Sequence, residues 1–102
     1  DVNAKDNIGR TALHEAGFNN HRATVRVLLE HGADVNARNI DGETALHFAC
    51  RNGRSSRTAR ILLEFGADPT IKDKYGSTAM DFARQLGRTK LADELDSAPA
   101  AG

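Results

Sequence analysis

The sequence predicts an all-α solenoid, a stack of helix–turn–helix units joined by β-hairpin-like loops, and two recurring motifs carry that prediction. Gly42-Glu43-Thr44-Ala45-Leu46-His47-Phe48-Ala49 has a variant on either side, Gly9-Arg10-Thr11-Ala12-Leu13-His14-Glu15-Ala16 and Gly76-Ser77-Thr78-Ala79-Met80-Asp81-Phe82-Ala83, so the glycines lie 33 and then 34 residues apart. In the same register Leu28-Leu29-Glu30-His31-Gly32-Ala33-Asp34 is matched by Leu62-Leu63-Glu64-Phe65-Gly66-Ala67-Asp68. A period near 33 built on Thr-x-Leu-His-x-Ala marks a repeat array, in which each unit buries its face on a neighbour.

On these residues the chain resembles the ankyrin-repeat family, from Asp1 to about Leu95. Ala12, Ala45 and Ala79 stand where the family pattern has proline after the helix-opening threonine, and alanine serves there as a good helix former. The expected layout is a repeat domain over 1–96, with repeats 1–33, 34–67 and 68–95, followed by a flexible tail or linker at 97–102. Asp1-Val2-Asn3-Ala4 matches the inter-repeat segment Asp34-Val35-Asn36-Ala37, which suggests a piece of a longer array or a larger protein.

Local chemistry supports each element in turn. Asp6-Asn7-Ile8-Gly9 has turn composition, with Gly9 free to take a positive φ. Thr11 is expected to cap a helix running to about Phe18, its hydroxyl accepting from the His14 N–H while the imidazole answers back. In the third repeat Asp81 fills the place of His14, and an acid suits a helix N-terminus. Asn20, where Gly53 and Gly87 stand in the later repeats, tolerates positive φ. A second helix follows over about Arg22–His31, with Val25, Leu28 and Leu29 on its buried stripe and Gly32 and Gly66 as C-caps. The second repeat carries one extra residue within Arg54–Arg57, at or near the inter-helix turn. The last helix is expected over about Thr89–Leu95, with the polar outer face of a terminal unit. Glu15 stands where Phe48 and Phe82 fill the inter-repeat core; that favours an exposed outer face on the first repeat, whereas the opening at a linker favours the opposite.

Bulk properties exclude several function classes. Lys plus Arg and Asp plus Glu each number 14, so the formal net charge is zero, which argues against nucleic acid and against electrostatic membrane attachment. No apolar run approaches the ~18 residues a membrane helix needs. The single cysteine, Cys50, cannot form an internal disulfide and fits an intracellular (cytoplasmic or nuclear) setting.

No catalytic, cofactor or metal site is expected. His14 and His47 occupy capping slots on helices stacked about 8–10 Å apart, whereas zinc needs ligand atoms about 2 Å from one ion. His21 and His31 fall at a turn and a helix end. His47 and Cys50 lie three apart on one helix, but no orienting group or oxyanion donor accompanies them. Arg51, Arg54, Arg57 and Arg60 can form a basic patch beside Ser55 and Ser56 for an acidic or phosphorylated partner, or an ordinary solvated face with Glu64 as an ion-pair partner.

The resemblance implies a non-catalytic protein-binding module that meets its partner through hairpin tips and the concave side of the first helices. Carried over by register, the partner-binding residues are Asn7, Ile8 and Arg10; Phe18 and Asn19; Arg38, Ile40, Asp41 and Glu43; Arg51 and Asn52; and Lys74, Tyr75 and Ser77. Lys5, Lys72 and Gln85 fall in the same zones. Ile8, Ile40 and Tyr75 supply apolar anchors among charges, a composition suited to protein recognition. The expected partner is a protein of unspecified identity, met by a monomer. The alternative is a structural or regulatory segment that packs intramolecularly within a larger enzyme or channel. Leu28 with Asp34-Val35-Asn36 also resembles the substrates of an asparaginyl hydroxylase, which makes Asn36 a candidate for hydroxylation.

Overall fold

A computed structural model describes residues 1–52 and 56–88. Five helices occur among them: α1 (Ala12–Phe18), α2 (Arg22–Glu30), α3 (Ala45–Asn52), α4 (Ser56–Glu64) and α5 (Ala79–Gln85). There is no strand among the described residues. The helices form two rows, α1 on α3 on α5 and α2 on α4, with α1 packed on α2 and α3 packed on α4. The fold is the expected all-α stack.

Each first helix opens as its sequence dictates. Thr11 and Thr78 sit in extended backbone as N-caps, and both make reciprocal capping boxes, with His14 and Asp81 respectively. Thr44 and His47 repeat the exchange at α3. Asn20 takes φ 59° at the turn between α1 and α2, and its amide oxygen accepts from the Thr58 hydroxyl. The second helices end as anticipated. Gly32 and Gly66 both adopt φ 92°, which lets Ala33 N–H reach the Leu28 carbonyl and Ala67 N–H reach Leu62.

The core follows the period. Leu13, Leu46, Val25, Leu62 and Cys50 are fully buried, joined by Ala16, Ala45, Ala49, Ala59 and Ala83. Small residues let the first helices approach closely: a Cβ added at Gly17 would stand 3.1 Å from the Ala45 carbonyl oxygen. Leu28, expected on the buried stripe of α2, is only half-buried. The extra residue anticipated within Arg54–Arg57, the last helix over Thr89–Leu95 and the tail at 97–102 fall wholly or partly outside the described residues.

Candidate functional site

The tips that carry most of the expected binding residues are built by one device used three times. Asp6, Asn39 and Asp73 share a register, and each side-chain oxygen accepts the N–H groups two and four residues on: Ile8 and Arg10, Asp41 and Glu43, Tyr75 and Ser77. Two backbone bonds close each loop, for example Asn39 N–H to Glu43 O and Gly42 N–H to Asn39 O. With so short a ladder the loop is hairpin-like and forms no strand.

Successive tips are stitched together. Ile40 N–H donates to the Ile8 carbonyl at 3.0 Å, and Lys74 N–H donates to Asp41 at 2.9 Å. The long cations of the loop stems continue the ladder. Lys5 Nζ reaches the Arg38 carbonyl at 3.2 Å, and Arg38 Nη2 reaches the Lys72 carbonyl at 2.7 Å. Asn3 and Asn36 act as staples on the linkers, each amide oxygen accepting from the next linker's Asp34 or Asp68 N–H and each amide nitrogen facing the Gly32 or Gly66 carbonyl. Sequence reasoning missed this use of Lys5, Arg38 and Asn3, although all recur at the repeat spacing.

The two capping histidines also join neighbouring repeats. His14 Nδ1 accepts from Thr11 N–H at 3.0 Å while Nε2 lies 2.8 Å from the Glu43 carbonyl. His47 does the same with Thr44 at 3.1 Å and the Ser77 carbonyl at 3.0 Å. One acceptor and one donor nitrogen describe the neutral Nε2–H tautomer. Each ring also meets a phenylalanine of the next first helix edge-on, His14 with Phe48 at 5.2 Å and His47 with Phe82 at 5.3 Å. Burial lowers both imidazole pKa values, outweighing the carbonyl bonds that raise them. The stability consequence has a definite sign. Below the ordinary value of 6.5 the unfolded chain takes up protons that the folded chain resists. Stability is therefore full above that value and falls as pH drops through it, by up to about 1.4 kcal/mol per pH unit for each ring. Urea midpoints should be flat from pH 8 to 7 and decline from pH 6.5 to 5; a midpoint level across that whole range would contradict this.

Against this frame the expected binding residues separate into two groups. Ile8, Ile40 and Tyr75 stand 42%, 67% and 79% exposed. They zigzag rather than align, because Ile8 shares its position with Asp41 and Tyr75 while Ile40 shares its position with Asn7 and Lys74. Asn7, Phe18 and Asn19 are also exposed. The polar members are largely engaged within the stack. Glu43 is buried and accepts from Asn39 and Arg51, and Ser77 gives its carbonyl to His47 and Asp73. Arg10 binds Asp6 at 2.9 Å, and Lys74 binds Asp41 at 2.8 Å, which raises the Lys74 pKa. Asn52 donates to the Phe18 carbonyl.

Arg51 bridges two repeats: its guanidinium lies 5.3 Å from the Phe48 ring centre and 5.0 Å from Phe82, and it pairs with Glu43. Arg57 and Arg60 sit on α4, in the other helical row, and Arg54 lies outside the described residues. Gln85 ends α5 and is exposed, as is Lys72.

The His47–Cys50 pair on α3 is not poised for nucleophilic chemistry. Burial pushes the Cys50 thiol up to about 12, so thiolate is scarce near neutrality, and both ring nitrogens of the neighbouring His47 are engaged. Among the described residues there is no cluster of three potential metal ligands, and no helix is long and apolar enough to cross a membrane.

Comparison with known proteins agrees with this architecture. A family model for ankyrin repeats in many copies matches residues 28–83, and one for the single ankyrin repeat matches residues 8–40. The chain belongs to the ankyrin-repeat family, whose repeats are non-catalytic modules that bind protein partners. Among curated proteins it is similar to the human BCL-6 corepressor-like protein 1, with 48% identity over 52 residues, which is 51% of this chain and 3% of that protein. The Arabidopsis thaliana E3 ubiquitin-protein ligase XBAT33 is 56% identical over 41 residues, 40% of this chain and 8% of the ligase. A Caenorhabditis elegans homolog of transient receptor potential cation channel subfamily A member 1 is 44% identical over 50 residues, 49% of this chain and 4% of the channel. In each case the match spans less than a tenth of the relative's length.

Proposed function

We propose that this chain is a non-catalytic recognition module that binds a protein partner through Asn7, Ile8, Ile40 and Tyr75 at the tips and Phe18, Asn19, Arg51 and Asn52 on the first-helix side. The supporting observation is a contrast in how the tip side chains are held. Their polar neighbours are fixed by bonds within and between tips, while the three large apolar side chains project into solvent. Rigid apolar anchors inside a satisfied polar rim lose little entropy on binding, and anchors of this kind carry most of the energy of protein interfaces. Zero formal charge fits a protein partner better than nucleic acid. We assign the module to a monomer in an intracellular setting.

A second reading is favoured by the relatives, in which the matched region is a small part of a long polypeptide. The same surface then packs against another domain of its own chain. A photo-crosslinking amino acid placed at Ile40 or Tyr75, compared with one at the exposed Arg60 on α4, tests the assignment. Adducts from the tips alone support it; adducts from Arg60 alone overturn it. Hydroxylation of Asn36 is a separate proposal, and an intact mass without an added oxygen after exposure to an asparaginyl hydroxylase would refute it.

A further inference from the structure

Beside α1 and α3 lies a recess of about 230 Å³, lined by Arg10, Glu15, Phe18, Asn19 and Phe48. Its wall is aromatic. The Phe18 ring is 42% exposed and meets the Phe48 ring edge-on at 6.1 Å. Its rim is charged. The Glu15 side chain is 56% exposed, and Arg10 Nη2 stands 3.6 Å from its carboxylate, beyond hydrogen-bond length. Arg10 is turned instead to Asp6, whose carboxylate lies 2.9 Å from Nε. The nearby Lys5 ammonium donates to the Arg38 carbonyl. With Arg10 balanced by Asp6, Glu15 gives the recess a negative end with acceptor capacity for a further donor.

One repeat on, the chain shows what such surroundings hold. Arg51 lies 5.3 Å from the Phe48 ring centre and 5.0 Å from that of Phe82 while it pairs with Glu43. Phe18 has the register position of Arg51, and Glu15 has that of Phe48. The first repeat thus sets a carboxylate beside aromatic rings, with phenylalanine in place of the guanidinium. A cation that completes the set comes from outside the chain. A guanidinium suits it better than an ammonium, because its plane lies on an aromatic face and its N–H fork fits a carboxylate. Its methylene stem also packs along an exposed ring. Asn19, exposed at the mouth, offers an amide oxygen to one more N–H.

We propose that this recess is the subsite for an arginine side chain of the partner protein, with the guanidinium on Phe18 and paired to Glu15. The proposal rests on the assignment of Phe18 and Asn19 to recognition and adds the chemistry of what they meet. Because the formal net charge is zero, the attraction belongs to Glu15 and its surroundings and not to the surface as a whole.

The test titrates the whole chain with N-acetyl-arginine methylamide, and in parallel with its citrulline and glutamate analogues, at constant ionic strength. Backbone amide NMR shifts report where each probe sits. With arginine, saturable shifts should concentrate at Glu15, Phe18, Asn19 and Phe48. The uncharged citrulline analogue should bind about threefold to fivefold more weakly, and Glu15→Gln should weaken arginine by the same factor, as expected for a partly exposed ion pair. Glu15 is exposed, so the variant keeps its helical signal. Arginine binding that is indifferent to Glu15→Gln, or shifts scattered over the acidic residues at large, overturns the subsite. So does a glutamate analogue that takes the same amides more tightly, because Arg10 would then be the recognising group. The tip assignment is read separately, by the crosslinks at Ile40 and Tyr75, so either can fail without the other.

Discussion

Replacing His47 with alanine should lower stability by about 3–4 kcal/mol, the largest loss expected from a single polar residue here. Three things go at once. The buried Thr44 N–H loses its acceptor, the Ser77 carbonyl loses its link to the preceding repeat, and Phe82 loses the ring packed against it. An unsatisfied buried backbone donor alone costs about 1–3 kcal/mol. For a domain whose whole stability is about 5–15 kcal/mol, that is a large fraction, and the thermal midpoint should fall on the order of 15 °C. His47→Gln can still offer an acceptor and should recover part of the loss. A midpoint within about 3 °C of the parent for His47→Ala would show that the imidazole bonds contribute little.

The second large effect is Gly9→Ala, and its control lies in the same chain. Gly9 and Gly76 occupy equivalent tip positions at φ 78° and 83°, a region where an L side chain costs about 1–2 kcal/mol. Gly76 has open space around it, so Gly76→Ala should cost about that much and no more. A Cβ on Gly9 would stand 3.0 Å from the Ile40 nitrogen and 3.1 Å from Asn39 Cα, both backbone atoms of the next tip. Relief requires the tips to separate, which strains the Ile40 N–H to Ile8 carbonyl bond. Gly9→Ala should therefore cost about 1–2 kcal/mol more than Gly76→Ala, a difference of roughly 5–10 °C in midpoint. Equal shifts for the two variants would mean that the tips do not touch as described.

The fold was legible because stacking makes its demands at a fixed spacing. The threonine caps, the imidazole at the third helical position, Asn20 at positive φ and the C-capping glycines were all readable, since each answers a local backbone requirement. What could not be read was reach. The second nitrogen of His14 bonds the Glu43 carbonyl, and Arg38 spans to Lys72, both across a repeat boundary. A register shows which residues recur, but not what a long side chain meets in the neighbouring unit. For that reason Arg38 and Glu43 read as partner-binding tip residues, although one clips adjacent loops and the other is buried under Arg51. Ile8, Ile40 and Tyr75 were easier to place, because a large apolar residue in a turn has no core within reach.

Stacking engages most of the repeated polar residues, and we propose that the exposed tip side chains of Ile8, Ile40 and Tyr75 serve recognition. Affinity capture from cell lysate with the parent chain and with the triple variant Ile8→Ser, Ile40→Ser, Tyr75→Ser tests it most directly. Because all three side chains are exposed, the variant should keep its thermal midpoint to within a few degrees, as substitutions at exposed sites usually do. A protein partner should be retained by the parent and lost at least tenfold by the folded variant, equivalent to about 1.4 kcal/mol or more. A partner held equally by both chains would contradict the proposal and move recognition away from the tips.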